Sequence, residues 1–295
     1  MYENDTVVGR YAPSPTGALH MGNLRTALLA WLHTRMQGGR FLLRMEDIDS
    51  PRVVKGSADQ ILRDLEWLGL DWDGEVVFQS DRQDLYQESL KSLEQQNLVY
   101  PCFCSRRDIR NAASAPQSDN GGEPAELIYP GTCRNLSALQ VVQRKRQKAP
   151  ALRLKVGADL AEQSGDFVIK RADSLFAYQL VVVADDLDQG VTQVIRGADL
   201  AASTARQKYL AHLLDSNREP IAYFHAPLLL DDQRRRMSKR DGSMSVSAWR
   251  EDTGSNAEVL IASLLATLGL TQESSVSLSQ VLGALSLFDI EKCLQ

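Results

Sequence analysis

Cysteine is scarce. The 295-residue chain has four, Cys102, Cys104, Cys133 and Cys293, too few at this length for a scaffold built on disulfides. Long apolar runs are missing as well: no window approaches the roughly 20 apolar residues of a membrane helix. The opening Met1-Tyr2-Glu3-Asn4-Asp5 is polar and acidic, not a basic segment leading into an apolar one. Cytoplasmic residence without a membrane partner is therefore expected, and a monomer is the expected state. Surplus positive charge is lacking too. A formal charge of −5 argues against a surface built throughout to grip nucleic acid, because phosphate binding relies on clustered lysine and arginine. Two local concentrations remain, Arg144-Lys145-Arg146 with Lys148 and Arg234-Arg235-Arg236 with Lys239 and Arg240; each, taken alone, reads most simply as a solvated face. No internal repeat is present, and the absence of GxxxxGK[ST] excludes a P-loop.

What is present is a chain with 43% hydrophobic residues, enough to bury a sizeable core as one large domain with an insertion, or as two domains. Thr6 to Tyr11 reads as a short buried strand. A Pro/Ser/Gly turn follows, then Leu24, Ala27, Leu28, Trp31 and Leu32 at helical spacing, ending near Gly38-Gly39. Arg40 to Met45 is strand-like again, so the first 46 residues predict a β-α-β unit with parallel strands, the way a doubly wound sheet begins. Further helices are predicted around Ala58 to Leu68 and Leu85 to Leu98. Residues 111–126, rich in Ala, Ser, Pro, Asn and Gly with no apolar period, predict a loop of little order inside an inserted region.

Alternation returns at Ala151 to Val156 and Phe167 to Lys170. A long apolar segment from Phe176 to Ala184 follows, read as resumed sheet structure. Val191 to Arg196 predicts another buried strand, and Asp199 a possible N-cap for the helix carrying Leu200, Ala201, Tyr209, Leu210 and Leu213. Residues 256–268 are strongly helical.

The chemistry concentrates in two runs, Pro13-Ser14-Pro15-Thr16-Gly17-Ala18-Leu19-His20-Met21-Gly22-Asn23 and Arg236-Met237-Ser238-Lys239-Arg240. If the helix starts near Gly22, His20 and the amides that follow face the end of the first strand, where a helix N-terminus attracts phosphate. With Arg10-Tyr11-Ala12 before it and Glu46-Asp47-Ile48-Asp49-Ser50-Pro51-Arg52 after it, the first run closely resembles the glutamyl branch of the class I aminoacyl-tRNA synthetases. The resemblance runs from about Val7 to Leu270. Two positions depart from the pattern: Asn23 replaces the second histidine of the first motif, and Arg236 replaces the first lysine of the second.

The resemblance implies a Rossmann-like class I catalytic domain with a doubly wound parallel α/β sheet. Its first half would span residues 1–98, a zinc-containing insertion 99–172, the second half 173–245 and a short helical C-terminal region 246–295. Only 55 residues follow Arg240, which implies no anticodon-binding body. Segments Ala177-Tyr178-Gln179-Leu180 and Arg196-Gly197-Ala198-Asp199-Leu200 resemble the short members of the family. For these, the implied reaction is activation of L-glutamate with ATP, without tRNA, and transfer of the glutamyl group to queuosine at the wobble position of tRNA(Asp). The implied glutamate site comprises Arg10, Tyr11, Ala12, Pro13, Ser14, Glu46, Tyr178 and Arg196. The implied ATP site comprises His20, Gly22, Asn23, Met237, Ser238 and Lys239, with His20, Gly22 and Lys239 catalytic and Mg2+ accompanying the nucleotide. One structural zinc is implied on Cys102, Cys104, Cys133 and Tyr129, although water or another residue can replace the phenol, and three reduced core cysteines are the alternative. The rival readings are a truncated enzyme charging a tRNA 3′ end and a non-catalytic paralogue that binds RNA or glutamate.

Overall fold

The computed structural model describes residues 6–112, 128–161, 164–229, 246, 249 and 256–294. The chain divides into two compact units, one of residues 1–81, 189–202 and 219–295 and another of residues 82–188 and 203–218.

The first unit opens with the expected β-α-β: β1 (Val8–Tyr11), α1 (Met21–Arg35) and β2 (Arg40–Met45), with β1 and β2 parallel and Val8 opposite Arg40. After α2 (Ser57–Leu68) a short β3 (Val77–Phe78) pairs parallel to β2. Much later in the chain, β7 (Gln193–Gly197) and β8 (Ala222–Ala226) form a second parallel pair. The Thr192 N–H donates to Val8 O at 2.9 Å and the Val8 N–H to Thr192 Oγ1 at 2.9 Å, so β7 runs beside β1. Chain order therefore reverses at β1, with β2 and β3 on one side and β7 and β8 on the other.

Helix α1 is buried around most of its circumference, Leu24, Leu28, Leu29 and Leu32 being almost inaccessible. It lies between the sheet and two helices from the end of the chain, α9 (Ala257–Ala266) and α11 (Leu287–Glu291). Its approach to β1 requires Gly9, where an added Cβ would fall 2.0 Å from Thr34 Oγ1. The expected C-terminal helix corresponds to α9, and α10 (Leu278–Ala284) follows it.

The second unit has α3 (Gln83–Gln95), then an antiparallel sheet of β4 (Val99–Cys102), β5 (Ala151–Leu154) and β6 (Phe167–Lys170). Between its strands lie α4 (Arg106–Ala112), α5 (Ala138–Lys145) and α6 (Ala158–Ala161). Two expectations fail here. The apolar segment from Phe176 to Ala184 is not sheet: α7 (Tyr178–Asp188) occupies most of it. It is buried on several sides, with Leu180, Val181, Val182 and Val183 all inaccessible, and such a run carries no period that separates helix from strand. Asp185 supplies a polar anchor, accepting from Arg82 Nε at 2.8 Å and from the Tyr86 hydroxyl at 3.0 Å. Nor does Asp199 cap a helix. It sits inside a 3-10 turn, Ala198–Ser203, and α8 (Thr204–Leu214) starts after Ser203. Most of the loop expected at residues 111–126 lies outside the described residues; Asn111 and Ala112 close α4.

Candidate functional site

In an open α/β sheet, ligands bind beyond the carboxyl ends of the strands where chain order reverses. Here that point lies between β1 and β7, and most of the expected site residues converge on it. Arg10 and Tyr11 end β1, with Ala12, Pro13 and Ser14 just beyond; Arg196 is near the end of β7. Glu46 directly follows β2, and its N–H donates to Pro13 O at 2.9 Å, tying that carboxylate to the loop after β1. Arg10 and Arg196 are only 5% and 4% exposed. Such burial of guanidinium groups is costly without polar or aromatic partners, and the Arg196 guanidinium lies 4.9 Å from the Tyr223 ring centre.

Beneath Glu46, the buried Arg44 donates to Gln189 Oε1 at 2.6 Å and reaches within 3.9 Å of Glu46 Oε1. Neither Arg44 nor Gln189 was singled out in the sequence, because a buried arginine in a strand gives no pattern. Burial pushes the Tyr11 phenol well above its usual range, and its hydroxyl donates to Asn23 O at 3.4 Å.

His20 is the N-cap of α1. Its Nδ1 accepts from the Asn23 N–H at 3.3 Å, and Asn23 Oδ1 accepts from the His20 N–H at 3.5 Å. An accepting Nδ1 puts the proton of the neutral ring on Nε2. The first turn of α1 holds no acidic residue, so the positive end of the helix dipole stays available to an anion. Gly22 makes room for this ring: a Cβ there would lie 3.2 Å from His20 Cε1 and Nδ1.

The chain leaving β8 returns to the same place. Leu229 Cβ is 3.8 Å from that hypothetical Cβ on Gly22. The buried Arg25 of α1 donates to Pro227 O, and also to Thr267 Oγ1 at 3.0 Å. Arg25 thus fixes the exit of β8, seven residues before the basic run that starts at Arg234. Sequence reading missed it, since nothing distinguishes a buried cation in an apolar helix from a solvated one. Arg25→Met is expected to cost about 2–3 kcal/mol in chemical denaturation, the scale of a lost hydrogen bond to a charged group, and to raise the KM for ATP. An unchanged denaturation midpoint would rule this anchor out. Tyr178 begins α7 in the second unit; Met237, Ser238 and Lys239, with the second basic run, lie outside the described residues.

The second unit gathers Cys102, Cys104 and Cys133, their sulfurs all within 4.8 Å of one another. Cys104 Sγ is 3.6 Å from Cys133 Sγ, and the Tyr129 hydroxyl lies 3.4 Å from Cys102 Sγ and 3.7 Å from Cys104 Sγ. A tetrahedral ion with sulfur bonds of about 2.3 Å holds its sulfurs about 3.8 Å apart and a phenol oxygen at about 3.5 Å from each. The three distances fit that figure, and the cysteine cluster can hold a metal ion. Hydrogen-bond donors and cations lie around it. The Cys133 N–H donates to Tyr129 Oη at 2.8 Å, Arg144 NH1 is 3.7 Å from Cys133 Sγ, and the Arg153 guanidinium stacks 3.8 Å from the Tyr129 ring centre. Burial pushes the Cys102 thiol up, but hydrogen bonds with Tyr129, the Cys104 amide and Arg153 outweigh it and hold the thiol below its ordinary value. Burial raises Cys104 to about 11. Cys293, in the other unit, takes no part.

Comparison with known proteins places the chain in a family. Residues 6–294 match the family described as tRNA synthetases class I (E and Q), catalytic domain. The chain is 48% identical over 267 residues to a Glutamyl-Q tRNA(Asp) synthetase of Geobacter sulfurreducens, covering 88% of this chain and 83% of that one. It is 46% identical over 275 residues to the protein of the same name from Nocardia farcinica, covering 89% and 85%. Among solved structures, glutamate-tRNA synthetase from Elizabethkingia anophelis superposes with a TM-score of 0.80 at 25% identity, over 98% of this chain and 67% of that one. Mycobacterium tuberculosis methionyl-tRNA synthetase shares the fold, with a TM-score of 0.58 at 12% identity over 88% of this chain and 64% of that one.

Proposed function

The chain belongs to the class I tRNA synthetases of the E and Q type, and from that premise we propose that it activates L-glutamate with ATP and transfers the glutamyl group to queuosine at the wobble position of tRNA(Asp). The observation that carries the reading is 46–48% identity to proteins bearing that activity in their names, across more than four fifths of both chains. The enzyme is an ATP-dependent ligase. A glutamate carboxylate oxygen attacks the α-phosphorus, pyrophosphate leaves, and the mixed anhydride then gives its acyl group to the RNA with release of AMP.

No side-chain nucleophile is required; the protein's part is alignment and charge stabilisation. In this reading Arg10 and Arg196 bind the substrate's carboxylate charge, and Glu46, steadied by Arg44, binds its α-ammonium. Tyr11, Ala12, Pro13, Ser14 and Tyr178 complete the amino-acid site. The His20 Nε2–H and the amides at the start of α1 receive the phosphates, with Gly22 and Asn23 holding the ring in place. Met237 and Ser238 contribute to the ATP site, and the Lys239 ammonium balances charge building on the phosphates. Mg2+ enters with the nucleotide. Cys102, Cys104, Cys133 and Tyr129 would hold zinc, which supplies a structural cross-link when bound.

The test offers radiolabelled glutamate and ATP with queuosine-containing tRNA(Asp), with the same tRNA carrying guanosine, and with tRNA(Glu). Label on the queuosine-containing tRNA alone is expected. Label on tRNA(Glu) would return the function to ordinary charging of a tRNA 3′ end, and no adenylation at all would leave a binding protein.

A further inference from the structure

Positive charge is distributed very unevenly in this acidic chain. Residues 128–158 contain seven lysines and arginines and no aspartate or glutamate, against a net charge of −5 for the whole. Several of these cations are committed to the second unit's own structure. Arg134 pairs with Asp166 at 3.1 Å, Arg153 donates to Asp166 O at 2.7 Å, and Arg144 faces Cys133. Lys145 and Arg146, at the end of α5, are exposed and make no ion pair with any described residue.

The geometry of α5 explains why they point outward. Leu136 and Val141 pack on the small core of Tyr100, Cys102, Phe103, Tyr129 and Cys133, so the cysteine cluster fixes one side of the helix. Its N-terminus is closed by a reciprocal cap between Ser137 and Gln140. No residue of α5 is fully buried. Leu139, Val142 and Arg146 fall at i, i+3 and i+7, one face of a helix, with Lys145 at its edge, and Leu139 and Val142 are 68% and 50% exposed. Large apolar side chains and unpaired cations side by side gain nothing for folding. They fit a polyanion that also offers flat apolar surface.

We propose that this face of α5 is a docking surface for the sugar–phosphate backbone of RNA, with Lys145 and Arg146 on phosphates and Leu139 and Val142 against ribose or base. The proposal rests on the RNA acceptor of the preceding section and locates where the chain grips it. A protein built this way keeps a low general affinity for nucleic acid, because its net charge is negative, and concentrates the attraction on one rigid element.

The experiment is fluorescence anisotropy of labelled queuosine-containing tRNA(Asp), titrated with the full chain and with Lys145→Gln/Arg146→Gln at several salt concentrations. The double variant is expected to bind about tenfold more weakly at low salt. The slope of log K against log salt should flatten by about 1.4–1.8, the value for two lost phosphate contacts. Glutamate-dependent ATP–pyrophosphate exchange and the melting temperature should not move. An unchanged affinity and slope would overturn the proposal, as would binding to phosphatidylserine vesicles that the double variant loses while its tRNA binding stays intact. Should the double variant melt lower, Arg146→Gln alone must give about half the slope change. Wild-type protein that binds this tRNA in the same salt-dependent way but transfers no glutamate to it would defeat the functional reading and leave the surface standing.

Discussion

Changing His20 to asparagine is expected to lower glutamate-dependent ATP–pyrophosphate exchange by about a hundredfold, the usual cost of removing one preorganised donor from a developing anion, with little change in melting temperature. The choice of substitute matters because His20 has two parts to play. Its Nδ1 caps α1 by accepting from the Asn23 N–H, and its Nε2–H is the proposed phosphate donor. Asparagine is among the best N-caps, so it keeps the first part and deletes the second. His20→Ala should lose both, adding about 1 kcal/mol of destabilisation to a similar kinetic loss. The assignment would fail if asparagine restored exchange to wild-type rates, or if rate and stability fell together in both variants. Glutamate affinity measured by calorimetry should stay within a few-fold in either, since the proposal puts the ring at the phosphate end of the site.

The same cap shows what the sequence could and could not convey. The β-α-β start was readable because each element has its own signal: a buried strand, a Pro/Gly turn and apolar residues at helical spacing. That His20 would sit at the start of the helix followed from the position of Gly22. The role of Asn23 did not follow. Read as a motif position it is a departure from the usual histidine, whereas in the structure its Oδ1 closes the cap on the His20 N–H, a task its amide performs well. Burial hid the remaining errors. Helix α7 is apolar on several faces and so lost its period, and Arg25 and Arg44 are cations in apolar elements whose partners, Pro227, Thr267 and Gln189, lie 145 to 242 residues away. Long-range pairing of that kind leaves no local trace. Only the grouping of three of the four cysteines was legible in the residues themselves, because thiols are few in this chain; Tyr129 as their fourth partner came from the family resemblance alone.

Replacing Cys102 and Cys104 by serine is expected to remove one equivalent of zinc per chain and to lower the melting temperature of the second unit by 10 °C or more, on the order of several kcal/mol lost. The size of the effect follows from how little else holds this region. Among the described residues, the apolar cluster around the sulfurs has five buried members, Tyr100, Cys102, Phe103, Tyr129 and Cys133, and α5 adds no fully buried side chain to it. A cluster that small offsets little of the ordering of the backbone around it, so a zinc cross-link among the cysteines is expected to supply the difference. Cys293→Ser, in the other unit, should change neither metal content nor stability. Tyr129→Phe separates the phenol's two possible contributions: retained zinc with about 1 kcal/mol of destabilisation would make the oxygen only the acceptor for the Cys133 N–H, and loss of zinc would make it a ligand. Unchanged metal content and melting in the double serine variant would refute the structural site. If zinc and stability are lost as expected, that variant should also weaken tRNA binding without touching adenylation, because Val141 of α5 packs against the cysteine cluster.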